Sequence, residues 1–241
     1  MRRISFHSTL VLLFCLHTGA ALAQRQLNVL VFADQYRYGK AAFELAQFLD
    51  STATPGIRAD FANTENLLEP AVLKNYAVLV LFNHNNITAI HEKNISEFVA
   101  EGRGLVALHH VINKANGNPE LTRLIGGFYT LEDRMLEHRD FNIVRIPGVE
   151  HPILEGIPEK FKVYDDQDFR MQFYPGEPVN KFLSCDLQEN GPQEDCGWTR
   201  TEGAGRVVYL SPGDPVEKKP FLVNQPLTKL IVNAVRWAGG E

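Results

Sequence analysis

The chain has 241 residues, 44% of them hydrophobic and 22% charged, and its 24 basic side chains against 29 acidic ones leave a formal net charge of −5. That is the make-up of an ordinary globular protein, which excludes a disordered or low-complexity chain. With no basic run and no aromatic-rich basic stripe, it also excludes nucleic acid as a natural partner.

At the N-terminus, Arg2 and Arg3 precede an apolar run from Leu10 to Leu16 and the small-residue pattern Ala21-Leu22-Ala23. This order reads as a signal peptide over residues 1–23, cleaved after Ala23. A membrane anchor would need roughly 20 apolar residues, and His17 and Thr18 interrupt the run well before that. The paired arginines fit twin-arginine export only loosely, so Sec export is expected. Bulky Leu13-Phe14 ahead of Cys15 do not make a lipobox. The expected product is a single domain over 24–241, periplasmic or secreted, with no membrane attachment after cleavage.

From there the chain alternates. Leu27 to Phe32 is an apolar run that reads as a buried strand, followed by a loop with Asp34 and Tyr36 and by a helical pattern from Ala41 to Leu49. A second strand is expected over Ile57 to Phe61 and a third over Tyr76 to Phe82, which delivers Asn83, His84, Asn85 and Asn86 into a loop. Thr88 is the candidate N-cap of a helix that carries Ile95, Phe98 and Val99 and stops at Gly102. Gly104 to Leu108 is the next buried strand and empties into His109 and His110. Asn118-Pro119 opens a short helix through Ile125, terminated by Gly126-Gly127.

The second half differs. Phe141 to Ile146, Phe161 to Tyr164, Lys181 to Cys185 and Arg206 to Leu210 read as short strands joined by loops rather than by helices. Thr201 to Gly205 is the turn of a hairpin between Gly197-Trp198-Thr199-Arg200 and Arg206-Val207-Val208-Tyr209. A helix with Leu227, Leu230, Ile231, Ala234 and Val235 on one face closes the chain. Cys185 and Cys196 lie in a stretch rich in Gly, Pro, Asn and Asp, and export would place them where a disulfide closing that stretch is expected. The alternative is two buried thiols, with no further Cys/His spacing for structural zinc.

Apolar strands alternating with helices imply a parallel sheet covered on both faces. The expected fold class is therefore α/β, a doubly wound and mainly parallel sheet with an antiparallel extension in the second half. In such sheets ligands bind beyond the carboxyl ends of the strands, and Asp34, His84 and His109 all follow a strand end. His109 and His110, if the chain stays extended, point in opposite directions, and His109 is preferred as the pocket residue.

Several separated segments resemble the trehalose-utilisation (ThuA-like) family in order. They are Gly102 to His110 (GRGLVALHH), then His151-Pro152-Ile153 with Gly156-Ile157, Phe161 and the acidic run Asp165-Asp166-Gln167-Asp168. Trp198-Thr199-Arg200, Gly205-Arg206-Val207, Tyr209 and Asn233 to Ala238 complete the series. The resemblance implies a flavodoxin-like sheet of the class I glutamine amidotransferase kind, without its chemistry. That chemistry needs a cysteine nucleophile at the strand-to-helix turn, which here reads Ala107-Leu108-His109-His110. No G-x-S-x-G replaces it.

Histidines and carboxylates remain, which suit proton transfer or metal binding. The expected catalytic set is His109, His138 and Asp166. His138 stands where the resemblance places a histidine, against the alternative of a solvated surface residue. Asp166 or Gln167 aligns with the family's glutamate, and Asp166 is preferred. Asp34, His84, His110, His151, Trp198 and Asp214 are expected to touch substrate, although His151 before Pro152 is also read as a turn residue. Asp214 stands where many relatives carry a histidine. Tyr36, Tyr129, Phe169 and Trp198 are candidates to stack on a sugar, or else core residues. The resemblance implies a small-molecule carbohydrate, an oxidised (keto) disaccharide or glycoside, processed by His/Asp acid–base isomerisation, epimerisation or elimination. The alternatives are a non-catalytic carbohydrate-binding protein and a metal-dependent glycoside hydrolase with His109, His138 and Asp166 as ligands, for which no HxH or HExxH spacing is present. No cofactor is expected; a divalent metal and homo-oligomerisation are left open.

Overall fold

The computed structural model describes residues 26–34, 38–84, 86–112, 117–129, 138–165, 171–186, 193–214 and 221–241. The expected signal peptide lies outside them, as do Tyr36, Asp166, Gln167 and Phe169. Among the described residues no helix is long and apolar enough to cross a membrane.

The elements follow the sequence pattern closely. In chain order they are β1 (Leu27–Phe32), α1 (Gly39–Leu49), β2 (Ile57–Ala62), α2 (Pro70–Leu73), β3 (Val78–Leu81) and α3 (Ala89–Ala100). Then come β4 (Gly104–Leu108), α4 (Pro119–Ile125), β5 (Gly127–Phe128), β6 (Arg139–Arg145), β7 (Lys160–Asp165) and β8 (Gln172–Phe173). β9 (Asn180–Asp186), β10 (Glu194–Glu202), β11 (Gly205–Leu210) and α5 (Gln225–Ala238) complete the chain. Nine strands form one sheet in the order β2-β1-β3-β4-β11-β10-β9-β6-β7. The first five are mutually parallel, and β10, β9, β6 and β7 continue the sheet by antiparallel pairing. The α/β class with its antiparallel extension is thus the observed one. The short ribbon β5-β8 was not legible, because two-residue strands carry no period.

Two apolar cores cover the two faces. One joins Val29 and Val31 of β1 to Leu45 and Leu49 of α1 and to Leu230, Ile231 and Val235 of α5. The other joins Leu30, Leu79 and Leu105 to Ile95, Phe98 and Val99 of α3 and Leu121 and Leu124 of α4. Alternate residues of one strand serving opposite cores is what a doubly covered parallel sheet requires. Gly126 ends α4 in the left-handed region (φ 91°), where a Cβ would also meet Val179 Cγ1 at 2.7 Å, so glycine is required twice over. The Thr88 hydroxyl does not cap α3. It donates to Glu65, whose carboxylate also accepts the Thr88 N–H at 2.9 Å, so a glutamate from another segment does part of the cap's work.

Candidate functional site

One edge of the sheet collects almost all of the predicted polar residues. β1 leads to Asp34, β3 to Asn83 and His84, β4 to His109 and His110, and β11 to Ser211 and Asp214. The antiparallel half reaches the same edge, because β7 runs in the direction of β11 and ends at Asp165, while β6 runs oppositely and begins just after His138. Strand direction alone therefore converges residues up to 180 positions apart.

At the end of β4 the chain does not stay extended. His109 adopts φ 55°, the one positive φ outside glycine among the described residues, and a short 3-10 turn over His109–Ile112 follows. Such a conformation costs a non-glycine residue about 1–2 kcal/mol, and two long-range bonds hold it. The Tyr209 hydroxyl donates to the His109 carbonyl at 2.8 Å, and His109 Nδ1 donates to the Ser211 carbonyl at 2.8 Å. The turn folds both rings to one side, with centroids 4.0 Å apart, which corrects the expectation that they diverge. Both imidazoles are buried, His109 completely, so His109 reaches the site from beneath rather than from its open side.

Around these rings lies a carboxylate network. Asp214, 1% exposed, sets Oδ1 at 3.3 Å from His109 Nε2 and accepts from the Tyr38 hydroxyl at 3.3 Å, while its Oδ2 meets His138 Nε2 at 2.6 Å. Asp165, equally buried, accepts the backbone N–H groups of Gly213 and Asp214 at 2.6 and 3.1 Å and stands 3.8 Å from His109 Nδ1. Asp165 therefore fixes the segment that carries Asp214. His110 Nδ1 lies 2.5 Å from the Tyr129 hydroxyl, and the His84 ring stands edge-on to His110 at 5.3 Å. Asp34 accepts the His84 N–H at 2.6 Å. Asp34, His84 and His138 are partly exposed, the His138 side chain to 31%.

The structure thus brings together Asp34, His84, His109, His110, His138 and Asp214. It does not bring His151 there. That ring sits beside Phe182 (5.5 Å, 13° between planes) and Trp237 (4.9 Å), and its Nδ1 accepts the Ile153 N–H at 3.2 Å. Burial, reinforced by the nearby Arg206 charge, lowers its pKa. The turn-residue reading is the one its contacts support. Trp198 is fully buried, donates to the Ile125 carbonyl at 2.9 Å and packs on Tyr209, so it is core and offers no face to a sugar. Asp166 lies outside the described residues. Asp165, which precedes it, and Tyr38 are functional candidates missed from sequence. Alternation would have found the first, since Phe161, Val163 and Asp165 share the buried face of β7.

Cys185 and Cys196 sit in neighbouring strands β9 and β10 rather than in a loop, as buried free thiols. Burial first, and then a hydrogen bond with Cys196, push the Cys185 pKa well above the ordinary thiol value, so it is no thiolate nucleophile. For a metal, His109, His110 and Asp214 each offer one donor atom, all within 4.8 Å of one another.

Comparisons with known proteins place this geometry. A family model, ThuA, described as trehalose utilisation, matches residues 28–238. A ThuA-like protein from Bacteroides uniformis superposes with a TM-score of 0.71 at 18% identity, over 91% of this chain and 94% of that one. Another from Parabacteroides merdae gives 0.72 at 17% identity, over 90% and 91%. A cold-adapted β-galactosidase from Rahnella sp. R3 shares the fold over 31% of its own length, at 11% identity and a TM-score of 0.60. No curated protein matches the chain.

Proposed function

The chain belongs to the ThuA family, which carries a role in trehalose utilisation and hence carbohydrate metabolism, and on that premise we propose that it is an exported acid–base enzyme acting on a keto-disaccharide or a related glycoside. One observation carries the proposal: a partly exposed imidazole, His138, whose Nε2 lies 2.6 Å from the buried carboxylate of Asp214. A carboxylate can only accept, so Nε2 carries the proton and Nδ1 presents its lone pair.

In a sugar, a keto group acidifies the C–H beside it. His138 Nδ1 takes that proton, and the C–H electron pair moves into the carbonyl to leave an enediolate. Return of the proton to the other face gives epimerisation, return to the former carbonyl carbon gives isomerisation, and departure of a β-glycosidic oxygen gives elimination. Asp214 holds the ring and stabilises the imidazolium that forms. His84, with Asp34 on its backbone N–H, stands on the partly exposed side as the second proton carrier or as a hydrogen-bond partner of the sugar hydroxyls.

The test is incubation of the purified mature protein with 3-keto-disaccharides in deuterated buffer, followed by NMR. Deuterium entering beside the carbonyl supports the enzyme. Measurable sugar affinity with neither exchange nor turnover would replace it with a carbohydrate-binding protein.

A further inference from the structure

We infer that His109, His110 and Asp214 form a binding site for a divalent first-row transition metal, one that serves the acid–base site proposed above. The first argument is tautomeric. The Ser211 carbonyl can only accept, so the bond at 2.8 Å puts a proton on His109 Nδ1 and leaves Nε2 of the neutral ring as a lone-pair donor. That lone pair faces Asp214 Oδ1 at 3.3 Å. Two electron donors pointed at each other inside a protein require a positive charge between them, either a proton on the ring or a cation.

Spacing favours the cation. Two donors each about 2.1 Å from an ion at the tetrahedral angle are roughly 3.4 Å apart, close to the separation of His109 Nε2 and Asp214 Oδ1. A hydrogen bond between imidazolium and carboxylate would close to about 2.7–2.9 Å, well inside the 3.3 Å seen here. His110 adds the third donor atom within 4.8 Å of the other two.

The surroundings match as well. Metal-bound histidines give their second ring nitrogen to a carbonyl or hydroxyl that fixes the ring; His109 meets the Ser211 carbonyl and His110 meets the Tyr129 hydroxyl. Past the left-handed backbone at His109 the two rings lie 4.0 Å apart, each with a donor atom within 4.8 Å of one on Asp214. Two nitrogens and one carboxylate oxygen suit zinc, manganese, iron or nickel rather than calcium or magnesium. A tetrahedral ion keeps a fourth position, and the partly exposed neighbours of the cluster are His84 and His138. If the keto-sugar reading holds, His109, His110 and Asp214 would hold an ion that could supply Lewis acidity beside the substrate, while His138 takes the carbon-bound proton.

The experiment separates the metal site from that reading. Full mature chain, stripped with chelator and dialysed against zinc or manganese, is assayed by elemental analysis, and cobalt loading is followed by visible absorption. We expect one ion per chain, d–d bands of a low-coordinate cobalt site, and a rise in Tm on loading. His110→Gln and Asp214→Asn are expected to lower affinity at least tenfold, while His151→Gln leaves it unchanged. Should a variant not fold, the cobalt spectrum of the wild-type chain decides alone. Substoichiometric uptake, or octahedral cobalt bands indifferent to His110→Gln, overturns the site and leaves His109 as an imidazolium between Asp165 and Asp214. Metal uptake without deuterium exchange overturns only the keto-sugar chemistry.

Discussion

The two ends of the sheet bury polar groups in different ways, and the contrast separates the candidate site from scaffold. Toward the amino ends, Arg200 is 4% exposed and every contact it makes closes a local account. Nη1 donates to the Arg123 and Leu124 carbonyls at 2.6 and 2.9 Å, capping α4, and Nη2 meets Glu177 and Glu202 at 2.5 and 2.8 Å. His151 likewise lies between aromatic rings and one backbone N–H. At the carboxyl ends, one carboxylate, Asp214, is shared by His109, His138 and Tyr38, and its own loop is pinned by a second carboxylate, Asp165. Opposite charges joined in an arginine–glutamate network, as Arg123 and Arg200 are with Glu177 and Glu202, hold structure, whereas one carboxylate shared among several imidazoles is suited to moving protons or holding an ion.

Substitutions at the two ends should therefore part company. His138→Gln and Asp214→Asn are expected to cut deuterium exchange on the keto-sugar by on the order of 10²–10⁴-fold, measured against unchanged circular dichroism. Arg200→Met should do the reverse, costing about 1–3 kcal/mol in denaturant unfolding because two buried helix carbonyls lose their donor while Glu177 and Glu202 keep Arg123, with exchange per folded molecule retained.

A smaller effect is expected at His151. Its folded pKa is lowered from the ordinary 6.5, by burial first and then by Arg206, so the unfolded chain binds the extra proton. Stability from this residue is full above pH 6.5 and falls as the pH drops through its folded pKa. His151→Ala should cost about 1–2 kcal/mol near neutrality through the lost stacking and lost N–H acceptor. It should also flatten the acid limb of a stability–pH curve, with no change in catalysis. The mildest test concerns the thiols. Because Cys185 and Cys196 are buried and burial raises the Cys185 pKa, both are expected to resist mild oxidation of the folded protein. Thiol titration in denaturant after such treatment would show both still free, with Tm unchanged.

Much of the scaffold could be read from the residues, because β1, β3 and β4 are uninterrupted apolar runs and α5 has a clean helical stripe. The carboxyl-end location of Asp34, His84 and His109 followed from the doubly wound pattern. What could not be read was local geometry set by distant partners. The left-handed turn at His109 depends on Tyr209 and Ser211, about a hundred residues away, so the pairing of His109 with His110 was invisible from their adjacency. Asp165 was passed over for Asp166 because an acidic run gives no register by itself. The strand alternation of Phe161, Val163 and Asp165 supplies it. Trp198 and His151 look like ligand-binding residues by type alone, and only their surroundings show that they pack.

The most direct test of the central claim is a crystal structure of the protein soaked with a slowly reacting keto-disaccharide. The account predicts the sugar at the carboxyl ends of β1, β3, β4 and β11, its carbonyl carbon's neighbour within reach of His138 Nδ1 and its hydroxyls toward His84. Sugar bound at the opposite edge, against His151 and Trp237, would contradict it.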